Sequence, residues 1–170
     1  GEEPRPPTEH AHTRDHQQGA RHDSWPRHPP PIAVPTAAGF IASHMVSKLL
    51  EAGHSVKATV RHEADAPQLA KLNELKAANA GKLDIIKVDE ITDTAALTAA
   101  FKGCDGVFHM AAVHPKYGFE DTPVGRAALV STAVEGTTAA LKAASAAGVK
   151  RVVLTSSLAA VECGNDEGTL

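Results

Sequence analysis

Aromatic residues are scarce in this 170-residue chain, which has four Phe, one Tyr and one Trp. The apolar fraction is nevertheless 42%, so any core must be built from Ala, Val, Ile and Leu. Cysteine is scarcer still. Cys104 and Cys163 lie far apart with no Cys-x-x-Cys spacing, which argues against a disulfide scaffold or a cysteine zinc site. No apolar run approaches the ~18 residues of a membrane span, and no signal-peptide core is recognisable. A formal net charge of −3 leaves no broad cationic surface for nucleic acid. The expectation is one soluble domain, located in the cytoplasm, with neither membrane nor nucleic acid as partner.

The first 31 residues lack even aliphatic material. They contain no Val, Ile, Leu, Met or Phe, yet hold seven of the eleven prolines and five of the ten histidines. Such a segment has nothing to bury against its ordering entropy, so 1–31 is expected to be a disordered tail. His10, His12, His16, His22 and His28 are irregularly spaced and lack acidic or cysteine partners. They read as a solvated polar stretch, and no metal site is expected. The chain begins with Gly, which together with this composition suggests a fragment or a foreign upstream stretch.

From Ile32 onward, short apolar runs alternate with Ala-rich helical windows, and 32–170 reads as a single domain. Strands are expected at Ile32–Val34, Ser55–Val60, Leu83–Val88, Gly106–Met110 and Lys150–Thr155. Helices are expected at Phe40–Ala52, Pro67–Ala80, Thr94–Phe101 and Arg126–Ala147, with Gly53, Gly81 and Gly148 as stops. Ile41, Met45 and Leu49 would share one face of the first helix; Leu129, Ala133, Thr137 and Leu141 recur every four residues in the last. The adjacent Ile85 and Ile86 suit a strand covered on both sides. Strands alternating with helices imply βαβ units and a parallel sheet. In such a fold the first strand–helix turn, here Pro35-Thr36-Ala37-Ala38-Gly39-Phe40-Ile41-Ala42, is where a dinucleotide's phosphates sit.

Gly39-Phe40-Ile41-Ala42-Ser43-His44 resembles the cofactor turn of extended short-chain dehydrogenases/reductases, nearest the dihydroflavonol reductase, cinnamoyl-CoA reductase and aldehyde reductase-like group. Four further blocks match in order. They are Ala58-Thr59-Val60-Arg61, Lys102-Gly103-Cys104-Asp105-Gly106-Val107-Phe108-His109, Val134-Glu135-Gly136-Thr137, and Val149 through Ser157. The resemblance covers residues 32–161. It implies a Rossmann-like, doubly wound parallel α/β sheet, truncated after about five strands, and a dinucleotide as ligand.

The resemblance also implies roles. Gly39, Phe40 and Ile41 would line the pyrophosphate turn. Arg61 would receive an adenosine 2′-phosphate, favouring NADP(H) over NAD(H). Glu90 and Ile91 match an Asp-Leu pair that meets adenine. Met110, Ala111 and Ala112 would run beside the nicotinamide ribose. Thr155 falls within the last matching block, and Ser157 matches the serine that hydrogen-bonds a substrate carbonyl. Cys104 and His109 read as packing residues, and Cys163 has no neighbour in sequence to activate its thiol.

The chain departs from the family mildly at Glu90, which stands for Asp, and at Ala139, where Asn is frequent, and more sharply in two further ways. Pro35 and Thr36 replace the threonine and first glycine of the turn. If that position needs φ > 0, a β-branched residue there costs about 1–3 kcal/mol. The family's catalytic Tyr and Lys, four residues apart, are also missing. The single tyrosine, Tyr117, precedes the serine strand and is followed at that distance by Asp121. Losing a general acid typically costs ~10²–10⁴ in rate, so these 170 residues alone are expected not to turn over. In a full-length parent the substrate would be a small aldehyde or ketone. The alternatives are a diverged, non-catalytic dinucleotide-binding or interaction module, and an NAD-dependent epimerase or 3β-hydroxysteroid dehydrogenase fragment. A sheet ending after five strands is expected to expose apolar surface and be marginally folded. Composition gives no oligomeric state.

Overall fold

The computed structural model describes residues 29–61, 66–111 and 122–158. Residues 1–28 of the expected 1–31 tail, Ala112, Tyr117, Asp121 and Cys163 lie outside the described residues. Five strands and four helices alternate strictly: β1 (Ile32–Val34), α1 (Phe40–Glu51), β2 (Val56–Val60), α2 (Ala66–Ala78) and β3 (Leu83–Lys87) come first. They are followed by α3 (Thr94–Phe101), β4 (Gly106–His109), α4 (Pro123–Ala146) and β5 (Arg151–Leu154). The sheet order is β3-β2-β1-β4-β5 and every pairing is parallel. The parallel sheet is the one expected from the alternation, the Rossmann-like arrangement is the one the resemblance implies, and its order reverses between β1 and β4.

The central strand is the shortest because prolines bracket it. Pro31 has no amide proton, but its carbonyl accepts from the Asp105 N–H at 2.9 Å. Pro35 then ends the ladder where another donor would be needed. Ile32 still pairs with Val56 on one side and Gly106 on the other. All three residues of β1 are buried.

Alternation along the strands feeds two cores. Ile32, Val34, Val56, Ala58 and Leu83 face α1 and α2, meeting Val46, Leu50 and Leu72. Ala33 and Val107 face α3 and α4, meeting Leu97, Phe101 and a run of alanines. Ile85 packs against the first core and Ile86 against the second, as expected of a strand covered on both sides.

Both expected helix faces are shifted in phase. In α1 the buried residues are Ala42, Val46, Leu49 and Leu50, whereas Ile41 is 62% exposed. In α4 they are Gly136, Ala139, Ala140, Ala143 and Ala144, while Leu141 faces outward. Close approach of α4 to α3 and the sheet selects the smallest side chains and turns the larger ones away. The glycine stops hold: Gly53 and Gly148, following α1 and α4, adopt φ of 89° and 75°, which a side chain would disfavour. Asp93 caps α3 through Ala96 N–H, and Thr122 caps α4 through Gly125 N–H.

Candidate functional site

A cavity of about 350 Å³ opens at the carboxyl ends of β1, β2, β3 and β4. Thr36 enters it from the turn after β1, Thr59, Val60 and Arg61 from the end of β2, and Val88, Glu90 and Ile91 from the segment after β3. His109 and Ala111 close the β4 side, and Thr132, Ala133, Gly136 and Thr137 of α4 form the remaining wall. The volume is at the small end of the range for ligand pockets. Arg61, Glu90, Ile91 and Ala111, separated by up to fifty residues in the chain, are thus brought to one cavity.

The other expected residues lie around it. Gly39 is the N-cap of α1, in extended backbone with φ of −67°, and α1 has no side-chain cap. Gly39 itself offers no side-chain acceptor to the first-turn N–H groups, an arrangement that suits an anion. Phe40 and Ile41 follow with their side chains 79% and 62% exposed. Met110 is half-buried and leans on the first core. Thr155 donates its N–H to the His109 carbonyl at 3.0 Å, and Ser157 is exposed just beyond β5. Gly39, Phe40, Ile41, Met110, Thr155 and Ser157 are not among the cavity-lining residues.

The turn itself is strained at one point. Thr36 adopts φ of 55°, a conformation that β-branched residues rarely occupy. The condition under which threonine would be costly is therefore met. What holds it there is Thr59, a residue the sequence did not single out. Thr59 is 2% exposed; its Oγ1 accepts from Thr36 N–H at 3.1 Å and its carbonyl from Ala37 N–H at 2.8 Å. The Thr36 carbonyl in turn accepts from Gly39 N–H at 3.2 Å. A hydroxyl near the end of the Val56–Val60 strand, facing opposite to Ala58, was the available signal.

His109 is buried beside the cavity. Its Nε2 lies 3.4 Å from Thr137 Oγ1, and its Nδ1 has no hydrogen-bond partner among the described residues. Burial lowers its pKa below the ordinary 6.5, because the charged ring would lose its hydration. A group that binds its proton less readily when folded leaves stability intact above about pH 6.5 and weakens it as pH falls through that value. On acidification from pH 7.5 to 5, the wild type is therefore expected to lose more stability than His109→Leu does, read as urea midpoints. Equal losses in the two proteins would contradict this placement of the imidazole. Burial likewise raises the pKa of the Cys104 thiol, consistent with a packing role.

Among the described residues, no helix is long and apolar enough to cross a membrane. A family model described as NAD(P)H-binding matches residues 36–168. Cinnamoyl-CoA reductase 1 of Oryza sativa subsp. japonica is 43% identical over 130 residues, covering 76% of this chain and 35% of that protein. An anthocyanidin reductase of Vitis vinifera is 37% identical over 145 residues, covering 82% and 41%. The crystal structure of a yeast methylglyoxal/isovaleraldehyde reductase complexed with NADPH superposes with a TM-score of 0.59 at 32% identity, covering 76% of this chain and 38% of that one. The chain thus spans little more than a third of the length of these relatives.

Proposed function

The chain belongs to the NAD(P)H-binding family, within the extended short-chain dehydrogenase/reductase group, and from that premise we propose that it forms the cofactor-binding part of an NADPH-dependent carbonyl reductase. The observation that carries this reading is the convergence of Arg61, Glu90 and Ile91 on one cavity at the carboxyl edge of a parallel sheet. Arg61 would meet the adenosine 2′-phosphate with a forked, charge-assisted contact. Glu90 and Ile91 would flank adenine, and the uncapped amides that follow Gly39 would take the pyrophosphate. Met110, Ala111 and Ala112 would run beside the nicotinamide ribose, with Thr155 nearby. When bound, the cofactor supplies a hydride, and Ser157 would hold the substrate carbonyl by a hydrogen bond. The relatives' names, a cinnamoyl-CoA, an anthocyanidin and a methylglyoxal/isovaleraldehyde reductase, support a carbonyl compound as substrate of a full-length parent.

Within these 170 residues the only tyrosine is Tyr117, and Asp121 stands four positions on. The polypeptide alone is accordingly proposed to bind cofactor without turning it over. One observation favours a second reading, a diverged and weakly binding module: the left-handed Thr36 in the phosphate turn.

Calorimetric titration of the 170-residue chain with NADPH and NADH tests the proposal. NADPH is expected to bind in the micromolar range and more tightly than NADH. Arg61→Ala should weaken NADPH about five- to tenfold, modest because the guanidinium is exposed, and leave NADH unchanged. Absence of binding by either nucleotide would overturn the reading.

A further inference from the structure

We infer that Gly136 is a positioning residue for Ile91, and that this pair sets the width of the cavity's adenine end. The inference rests on the cofactor reading above. Gly136 is buried in the middle of α4, where glycine is less favourable to a helix than alanine. Helix formation therefore gives no reason for it. The contact across the cavity does. A Cβ at position 136 would fall 2.9 Å from Ile91 Cγ2 and 3.4 Å from Ile91 Cγ1, against the ~3.5–4.0 Å at which carbon atoms rest.

Neither wall retreats without cost. Ile91 Cγ2 is bonded directly to Cβ, so it moves only by a change of χ1, which is stiff in β-branched residues, or by a shift of backbone. That backbone is pinned: the Glu90 carbonyl accepts from Asp93 N–H at 3.1 Å, and Asp93 caps α3 through Ala96 N–H. On the opposite side, α4 is fixed by its buried alanines against Leu97 and Phe101. Residues 91 and 136 both line the cavity, so an added methyl forces Ile91 to rotate against its own preference at the place where adenine would lie.

A double-mutant cycle tests this, with adenosine 2′,5′-bisphosphate as the probe and calorimetry as the readout. Gly136→Ala is expected to weaken the probe about fivefold in the wild-type background, within the usual cost of overpacking. In the Ile91→Ala background the same change should have no effect, because the colliding atoms are gone. The thermal midpoint should scarcely move, since the gain in helix propensity offsets the collision, and this separates positioning from general damage. An equal loss in both backgrounds, or no loss in the wild type, overturns the inference while the cofactor reading stands. A wild-type chain that does not bind the probe overturns both, and that failure is visible before any substitution is made.

Discussion

Phe101→Ala is expected to remove about 3–5 kcal/mol of stability, enough to abolish cooperative unfolding of a small domain. Phe101 ends α3 with no exposed surface and is among the largest fully buried side chains. Its cluster contains Ala33, Ala100, Ala139, Ala140, Ala143 and Ala144. An alanine has no side-chain torsion with which to reach into a vacated volume, so the space stays largely empty and the cost falls at the upper end for such truncations. Phe101→Leu, which keeps most of the volume, should cost about 1–2 kcal/mol. Urea denaturation followed by far-ultraviolet circular dichroism measures both. A loss below about 1.5 kcal/mol for Phe101→Ala would mean that α3 and α4 close over the gap. The effect reaches the cavity although Phe101 does not line it. The helix packed against α3 carries Gly136 and Thr137, so the same variant should also lose nucleotide binding.

This dependence explains why some of the architecture is legible in the sequence and some is not. Element order and approximate boundaries follow from local signals. Short β-branched runs such as Val56–Val60, and glycines at 53, 81 and 148, mark ends that backbone conformation requires. Helix faces are another matter. Hydrophobic periodicity weights large side chains, so in α4 it marks the stripe that runs from Leu129 to Leu141. The observed inner face is Gly136, Ala139, Ala140, Ala143 and Ala144, with Val130, Val134 and Leu141 turned outward. Interhelical distance decided it, and that quantity is not written in any single segment. The same holds within the site. Arg61 directly follows β2, and Arg61, Glu90 and Ile91 are legible through the family resemblance. The Thr59–Thr36 clamp and the Gly136–Ile91 contact arise only when segments distant in the chain are brought together.

Thr36→Gly is expected to improve the protein twice over. The first gain is in stability. Thr36 sits at φ of 55°, and a β-branched residue there costs about 1–3 kcal/mol, of which the greater freedom of an unfolded glycine takes back about 0.5–1 kcal/mol. A net stabilisation of up to about 2 kcal/mol should appear as a raised thermal midpoint. The second gain is in affinity. Thr36 lines the cavity in the turn that leads into α1, and removing its branched side chain widens the approach of a phosphate to that turn. NADPH should bind about tenfold more tightly, comparable to 1.4 kcal/mol. Thr36→Ala separates the two causes, since it removes the Oγ1 and Cγ2 atoms but keeps a Cβ in the left-handed region. It should gain affinity with little gain in midpoint, whereas only glycine gains both. Thr59→Val, which deletes the acceptor for Thr36 N–H, should lower NADPH affinity by freeing the turn, and by less once residue 36 is glycine and the clamp no longer opposes strain. A lower thermal midpoint for Thr36→Gly would show that the turn stores no strain, and unchanged affinity would place the phosphates elsewhere than on this turn.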